Sequence, residues 1–510
     1  MGRSEVIDVV QEPTTQRAGR PQVRLWWVVA AVAGVAFLAR LLPVLAGGGL
    51  YGLGNYDDGV YYAATAGLLH GRLPYRDFLM LHPPAILLAL APFAALGRIL
   101  GDDHGLAIAR VFWMALGAFN AVLTMRFLRP LGPVAALVGG TCYALFFPAV
   151  YSEHTVLLEG LSNTLLLLAL LLTQRRAPDV PVPTMWLLAA GAVLGLNTSV
   201  KIWGVVAVLV FLGWHLVTDG VRRAGLLVAA SFAGAAAVCL PFFVSAPEQM
   251  WRYVVLDQLG RPASTLPLTT RLVELTGLNL HLLPPAMGWP LVLTLAAVAA
   301  LSILAWRGGG RLAVLLLLCL GGMLMLTPSW FMHYAGLISV PFAVTVGAGA
   351  QRLSTALPRL PGNAGPGLLA GLLVVGLTLF SAPLLQSKIN RPFPGKQLAA
   401  SVANLPGCIT TDDPTTLIEM DVLARNLERG CPLVVDLGGH SYDMPSPGST
   451  QRRQNKRWQA FAVQYLRSGS ASITIRFYKD YGFSAATAAT VEAWPVLAQV
   501  NRYAVRVPQP

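Results

Sequence analysis

The chain has 510 residues, of which 55% are hydrophobic and only 12% charged, about half the charge of an ordinary globular protein. Residues 1–386 hold 15 of the 24 acids and 23 of the 37 bases, so the long N-terminal part is charge-poor and the C-terminal remainder ordinarily polar. This excludes a soluble enzyme of the usual kind, a disordered chain and, despite a net charge of +13, a nucleic-acid binder. The composition is that of an α-helical polytopic membrane protein with a small C-terminal α/β domain.

The chain opens on a polar tail, 1–24, whose Arg17, Arg20 and Arg24 put it in the cytoplasm by the positive-inside rule. No cleavage site follows the first apolar run, so no removable signal peptide is expected. Runs long enough to span, at about 20 residues each, fall near 25–46, 106–128, 131–150, 155–173, 184–200, 203–218, 224–245, 289–306, 311–328, 334–350 and 367–386. That is eleven predicted membrane helices within a membrane domain over 25–386. Arg126/Arg129, Arg175/Arg176, Arg222/Arg223, Arg307/Arg311 and Arg352/Arg359 then all face the cytoplasm. A further run, 83–100, would invert every later pair if it spanned. Opened by Pro83 and Pro84, it reads as a helix lying in the outer interface. The outer loops are 47–105, shorter ones around 151–154, 197–203 and 328–334, and 246–288.

Beyond Ser387 the texture changes. Strands are expected at CITTD, PLVVDLG and ASITIRFY, and helices over 414–426 and 452–467. Residues 387–510 thus form an α/β domain, extracytoplasmic in this topology. Cys142, Cys239 and Cys319 fall in spans and suit packing. Cys408 and Cys431 lie at the edges of two predicted strands on the oxidising side, as a disulfide or as two buried thiols.

The residues able to carry chemistry cluster in the first outer loop, GNYDDGVYYAATAGLLHGRLPYRDFLMLHPPA. Asp57 and Asp58 could supply a general base for an acceptor hydroxyl, or oxygen ligands for a divalent cation. The plain alternative is a helix cap with its neighbour solvated. Tyr61 and Tyr62 follow at helical spacing, then Arg72, Arg76, Asp77 and His82. Lys201, the one lysine before position 388, ends a span, where an ionisable group is either functional or snorkels to the headgroups. Glu153, His154 and Glu159 form another cluster, and a metal held by Glu153, His154 and Asp57 is conceivable, though the spacing matches no ligand signature. His333 and Tyr334 end a further loop, and Arg110 starts a span. Gly438 and Gly439 before His440 make a ligand loop or, more simply, a tight turn.

The run Asp57-Asp58-Gly59-Val60-Tyr61, followed by Leu81-His82-Pro83-Pro84 in the same loop, resembles the GT-C superfamily of membrane glycosyltransferases. The likeness is to its protein O-mannosyltransferase, aminoarabinose-transferase and actinobacterial polyprenyl-phosphate-mannose transferase branches. Here Asp58 stands for the usual Glu, and His82 for the Lys before Pro-Pro in some relatives. The resemblance implies a base at Asp57, with Asp58 as the fallback and Tyr61 in support; Glu153 and His154, read from their own cluster, are expected to support the site as well. It implies a donor phosphate met by Lys201, His333, Tyr334, Arg76 and His82. The implied reaction moves mannose or arabinose from a polyprenyl phosphate to a glycan, glycolipid or protein acceptor outside the plasma membrane. Two other classes compete. A lipid flippase predicts polar residues deep in several spans and symmetric halves. An O-antigen-ligase-like enzyme predicts its basic residues in a late outer loop, and 246–288 offers only Arg252, Arg261 and Arg271.

Overall fold

The computed structural model describes residues 25–175, 180–261, 264, 266–278, 288–356, 364–385, 388–444, 452–478 and 482–509. Arg17, Arg20, Arg24, Arg176 and Arg359 of the charge argument, and the predicted boundary at 386 and 387, lie outside the described residues.

Most of the chain is helical. In order come α1 (Leu25–Ala46), α2 (Tyr56–Leu69), α3 (Ala85–Leu100), α4 (Asp102–Leu128), α5 (Pro133–Leu145) and α6 (Phe147–Glu153). Then follow α7 (Leu158–Leu172), α8 (Thr184–Val200), α9 (Gly204–Asp219) and α10 (Val221–Ser245). Four long helices succeed them, Gly288–Arg307, Arg311–Leu326, Ser339–Ala356 and Ala364–Leu385. Every predicted apolar run coincides with one of these helices or, for 131–150, with a pair. Among the described residues five helices are long and apolar enough to cross a membrane, six if α5 and α6 count as one span bent by 54°. The bend falls where Phe146 is extended and Pro148 opens α6, because proline cannot donate to the preceding turn. Ala85–Leu100, Leu158–Leu172, Thr184–Val200, Gly204–Asp219 and Arg311–Leu326 are shorter apolar helices of 10–17 residues.

A small sheet forms in the C-terminal part, ordered β1-β2-β4-β3: β1 (Ile409–Thr411), β2 (Ala471–Ile473), β3 (Val496–Val500) and β4 (Tyr503–Arg506). The first two pair in parallel, Ile409 opposite Ala471, and the other pairings are antiparallel. Two expectations fail here. PLVVDLG is not a strand: Asp436 accepts the Gly439 N–H at 2.6 Å and turns the chain before an extended ladder can form. The expected helix over 414–426 is two, Pro414–Glu419 and Leu423–Glu428, separated at Asp421, which adopts φ of 54°. The Cys408 and Cys431 sulfurs are bonded, 2.09 Å apart.

One apolar core lies within the helix bundle. A second is shared: Tyr61, Ile86 and Leu90 of the first loop pack in the same cluster as Ile409, Leu417 and Ile473. The C-terminal part is therefore welded to the first loop by hydrophobic burial rather than tethered to it. Gly59 makes that approach possible. A Cβ there would lie 2.1 Å from Thr415 Oγ1, so any other residue would push α2 off the helix Pro414–Glu419.

Candidate active site

At the junction of the first loop, the helix bundle and the C-terminal part lies a cavity of about 270 Å³. Asp57, Tyr61, His82, Arg261, His333 and Tyr334 line it from one side; Asp436, Gly438, Gly439, Tyr442, Arg452 and Phe477 line it from the other. The fold thus brings together Asp57, Tyr61, His82, His333 and Tyr334 from three separate stretches.

The two adjacent aspartates have different surroundings. Neither caps α2: Asn55 does, accepting the Asp57 N–H at 3.0 Å. Asp57 in the first turn is left to face the cavity, its Oδ2 3.5 Å from His333 Nε2. Burial raises its pKa above the ordinary value of 3.8, the nearby Asp436 charge adds to the rise, and His333 opposes it. Asp58, about 100° further round the helix, points away. It is fully buried, bonded to Arg110 Nη2 at 2.8 Å and to the Thr155 hydroxyl at 2.5 Å. Arg110 also meets Glu419 Oε1 at 2.7 Å, so Asp58 belongs to an ion-paired clamp between α2, α4 and the C-terminal part.

Lys201 neither snorkels nor lines the cavity. It caps α8, is buried, bonds Glu159 Oε1 at 2.5 Å and stands 3.8 Å over the Tyr334 ring. Tyr334 is gripped on its other side by Arg261, whose Nη1 donates to the phenol oxygen at 2.9 Å. Arg261 lies over the Tyr442 ring at 4.9 Å, and it is the basic residue of the 246–288 loop that reaches the cavity. Arg252 is bound to Asp443 at 2.9 Å instead, and Arg271 to the carbonyl of Thr327 at 2.7 Å. His82 packs edge-on to Tyr61 with ring centroids 5.7 Å apart. Burial, then the charges of Lys201 and Arg261, hold its pKa well below the usual histidine value. Its imidazole is held neutral here rather than as a cation.

Two expected site residues lie elsewhere. Arg76 is half exposed and forms a bidentate pair with its neighbour Asp77 at 2.7 and 2.8 Å, outside the cavity. Glu153 is locked inside the bundle by Arg40 at 2.6 and 2.9 Å, Asn120 at 3.0 Å and the Tyr143 hydroxyl at 2.6 Å. Gly117 makes room for that pair, since a Cβ there would meet Arg40 Nε at 2.1 Å. Polar residues do therefore sit deep in several helices, but as a satisfied clamp joining α1, α4, α5 and α6. His154 bonds the Tyr151 carbonyl at 2.5 Å and stands behind Tyr151, which lines the cavity. Glu153, His154 and Asp57 are not gathered, and among the described residues no three His, Cys, Asp or Glu side chains are grouped to hold a metal.

Of the C-terminal residues of the cavity, the sequence marked Gly438 and Gly439, as a ligand loop or a tight turn, but not Asp436, Tyr442, Arg452 or Phe477. Asp436 Oδ1 accepts from the Tyr56 hydroxyl at 3.0 Å, and the same phenol oxygen accepts the Gly438 N–H at 3.2 Å. The Gly438-Gly439 segment is thus both a turn and a wall of the cavity. Arg452 donates to the Gly438 carbonyl at 3.2 Å and covers the Phe477 ring at 5.0 Å. The cavity combines one accessible carboxylate base, a second carboxylate, three guanidinium groups (Arg261, Arg452 and Arg476) and several rings.

No protein-family model matches the sequence, and no curated protein does. Solved structures match its fold. ArnT from Cupriavidus metallidurans, bound to undecaprenyl phosphate, aligns over 95% of this chain and 99% of its own, with a TM-score of 0.61 and 15% identity. The oligosaccharyltransferase AglB from Archaeoglobus fulgidus, in complex with an inhibitory peptide and a dolichol-phosphate, aligns over 88% of this chain and 69% of its own, with a TM-score of 0.55 and 12% identity. The resemblance to GT-C glycosyltransferases carried by the first loop thus extends to the fold of nearly the whole chain.

Proposed function

We propose that this protein is a membrane glycosyltransferase that moves a sugar from a polyprenyl phosphate to an acceptor hydroxyl. The observation that carries the reading is Asp57. It is the carboxylate of the first loop that faces a cavity rather than an ion pair, beside His333 and within a fold shared with a protein bound to undecaprenyl phosphate. Asp57 takes the acceptor hydroxyl proton as that oxygen attacks the anomeric carbon. The bond from that carbon to the phosphate oxygen breaks, and the polyprenyl phosphate leaves.

The leaving group gains negative charge, and preorganised cations stabilise such charge most where water is excluded. Of the cavity's three guanidinium groups, on Arg261, Arg452 and Arg476, we assign this role to Arg261, which Lys201 backs through Tyr334. Tyr61 and Tyr442 supply rings for the apolar face of the sugar. We infer the topology predicted from the arginine pairs: tail in the cytoplasm, eleven spans, and the cavity and residues 387–510 outside the plasma membrane. An oxidising exterior agrees with the Cys408–Cys431 bond.

The test is transfer by purified protein in liposomes from polyprenyl-phosphate mannose and polyprenyl-phosphate arabinose to a cell-envelope acceptor fraction. Labelled product with wild type and its loss in Asp57→Asn are expected. Equal transfer by both proteins would overturn the mechanism.

A further inference from the structure

Beside the candidate active site lies a larger cavity of about 660 Å³. The two share a wall, because Arg476 and Phe477 line both. Leu53 and Gly54, on the other side of the larger cavity, run directly into Asn55 and Asp57 of the smaller one. The shared wall is held rigidly. Asp412, fully buried, accepts the backbone N–H groups of Ile475, Arg476 and Phe477 at 2.7, 2.9 and 2.6 Å. A loop fixed by three charge-assisted hydrogen bonds is a preorganised surface.

The chemistry of the larger cavity is that of a polar ligand site. Arg391 is exposed on its rim, and among the described residues its guanidinium makes no ion pair or hydrogen bond. Arg502, also exposed, donates to the Tyr503 hydroxyl at 3.0 Å and lies over the Tyr503 ring at 5.1 Å. The buried acid of the cavity is already engaged: Asp413 accepts the Thr415 N–H at 3.0 Å and stands 3.7 Å from Arg476. The other acid, Glu492, is exposed at the rim. Tyr478 presents a ring that is 61% exposed, a platform on which the C–H face of a pyranose can bury apolar surface. Guanidinium groups match carboxylate and phosphate in shape as well as charge.

We propose that this cavity is the acceptor subsite and that it takes an anionic carbohydrate, one bearing carboxylate or phosphate groups. The two cavities adjoin along Leu53, Gly54 and Asn55 as well as along Arg476 and Phe477, so an acceptor seated there lies next to the cavity that holds Asp57. The assignment of the acceptor rests on the glycosyltransferase reading; the carbohydrate site itself does not.

The experiment uses full-length protein in phosphatidylcholine nanodiscs, titrated with trigalacturonic acid, maltotriose monophosphate and maltotriose, and read by microscale thermophoresis. At least one acidic probe should bind about ten-fold more tightly than maltotriose, as charge-assisted hydrogen bonds of this kind allow. Which acidic probe leads tells carboxylate from phosphate. The double variant Arg391→Gln/Arg502→Gln should abolish that preference, and Tyr478→Ala should weaken all three probes together. Equal binding of the three probes to wild type, or an acidic preference that survives the double variant, overturns the proposal. All three side chains are exposed, so an unchanged melting temperature is expected and checks folding. If the double variant unfolds, undiminished binding of the acidic probe to Tyr478→Ala overturns it as well. Undecaprenyl phosphate is titrated in parallel. Lipid binding without probe binding removes this site alone, whereas probe binding without lipid binding keeps the site and removes the donor reading.

Discussion

His333 Nε2 stands 3.5 Å from Asp57 Oδ2, across a cavity whose opposite wall comes from the C-terminal part of the chain. The pairing joins the start of α2 to the turn before Ser339–Ala356. Burial favours the neutral carboxyl, whereas the imidazole favours the carboxylate.

Asp57→Asn keeps the size of the side chain and removes the proton acceptor. Turnover should fall by about 10²–10⁴-fold, with donor binding nearly intact, in single-turnover transfer assays. A base works ionised, so activity is present above the Asp57 pKa and lost as pH falls through it. Because that pKa is raised, the acidic limb of the kcat/KM profile should lie above the ordinary 3.8. Asp436→Asn removes a raising charge and should move the limb lower.

Asp58→Asn should act on stability instead. It breaks one side of a buried ion pair and leaves Arg110 with Glu419 alone. Removing one partner of such a pair costs about 3–5 kcal/mol, which thermal unfolding in detergent would reveal. Transfer per folded molecule should stay near wild type. A loss of turnover matching that of Asp57→Asn, without loss of stability, would exchange the two roles.

Arg261→Gln removes one of the cavity's three guanidinium groups, the one that donates to Tyr334, and frees that hydroxyl. A charge-assisted contact is worth about 1.5–3 kcal/mol, so binding of undecaprenyl phosphate should weaken by roughly ten-fold or more. Arg252→Gln, in the same loop but bound to Asp443, is the control and should bind the lipid normally.

Lys201→Ala leaves Glu159 buried without its cation. The single variant should lose melting temperature by the cost of an unpaired buried charge. Lys201→Met combined with Glu159→Gln should recover most of it. If Lys201 also serves the donor phosphate, the double variant remains weak in lipid binding after stability has returned. Normal lipid binding in that stable double variant would leave Lys201 as a support for Tyr334 only.

Much of this protein was legible in the sequence because the informative signals are local. Apolar runs must be helices where backbone groups have no water to bond, and every predicted run is one. The Asp57 to Tyr61 motif is a single helical turn, and its acid, ring and capping Asn55 travel together. Cys408 and Cys431 stood out because a charge-poor chain gives way to ordinary polar sequence before them.

What only the tertiary structure decided involves partners far apart. Adjacent aspartates look equivalent on paper, but rotation along α2 sends one to the cavity and the other to Arg110, and packing alone sets that rotation. Tyr56 and Asp436 meet across 380 positions, a separation that leaves no periodicity to read. Arg76 and Arg261 are the same residue type in comparable loops. One found an aspartate beside it and stayed at the surface, and the other was carried into the cavity by the fold. A side chain's composition and neighbours determine what it can do, but long-range burial determines which of several equal candidates is placed to do it.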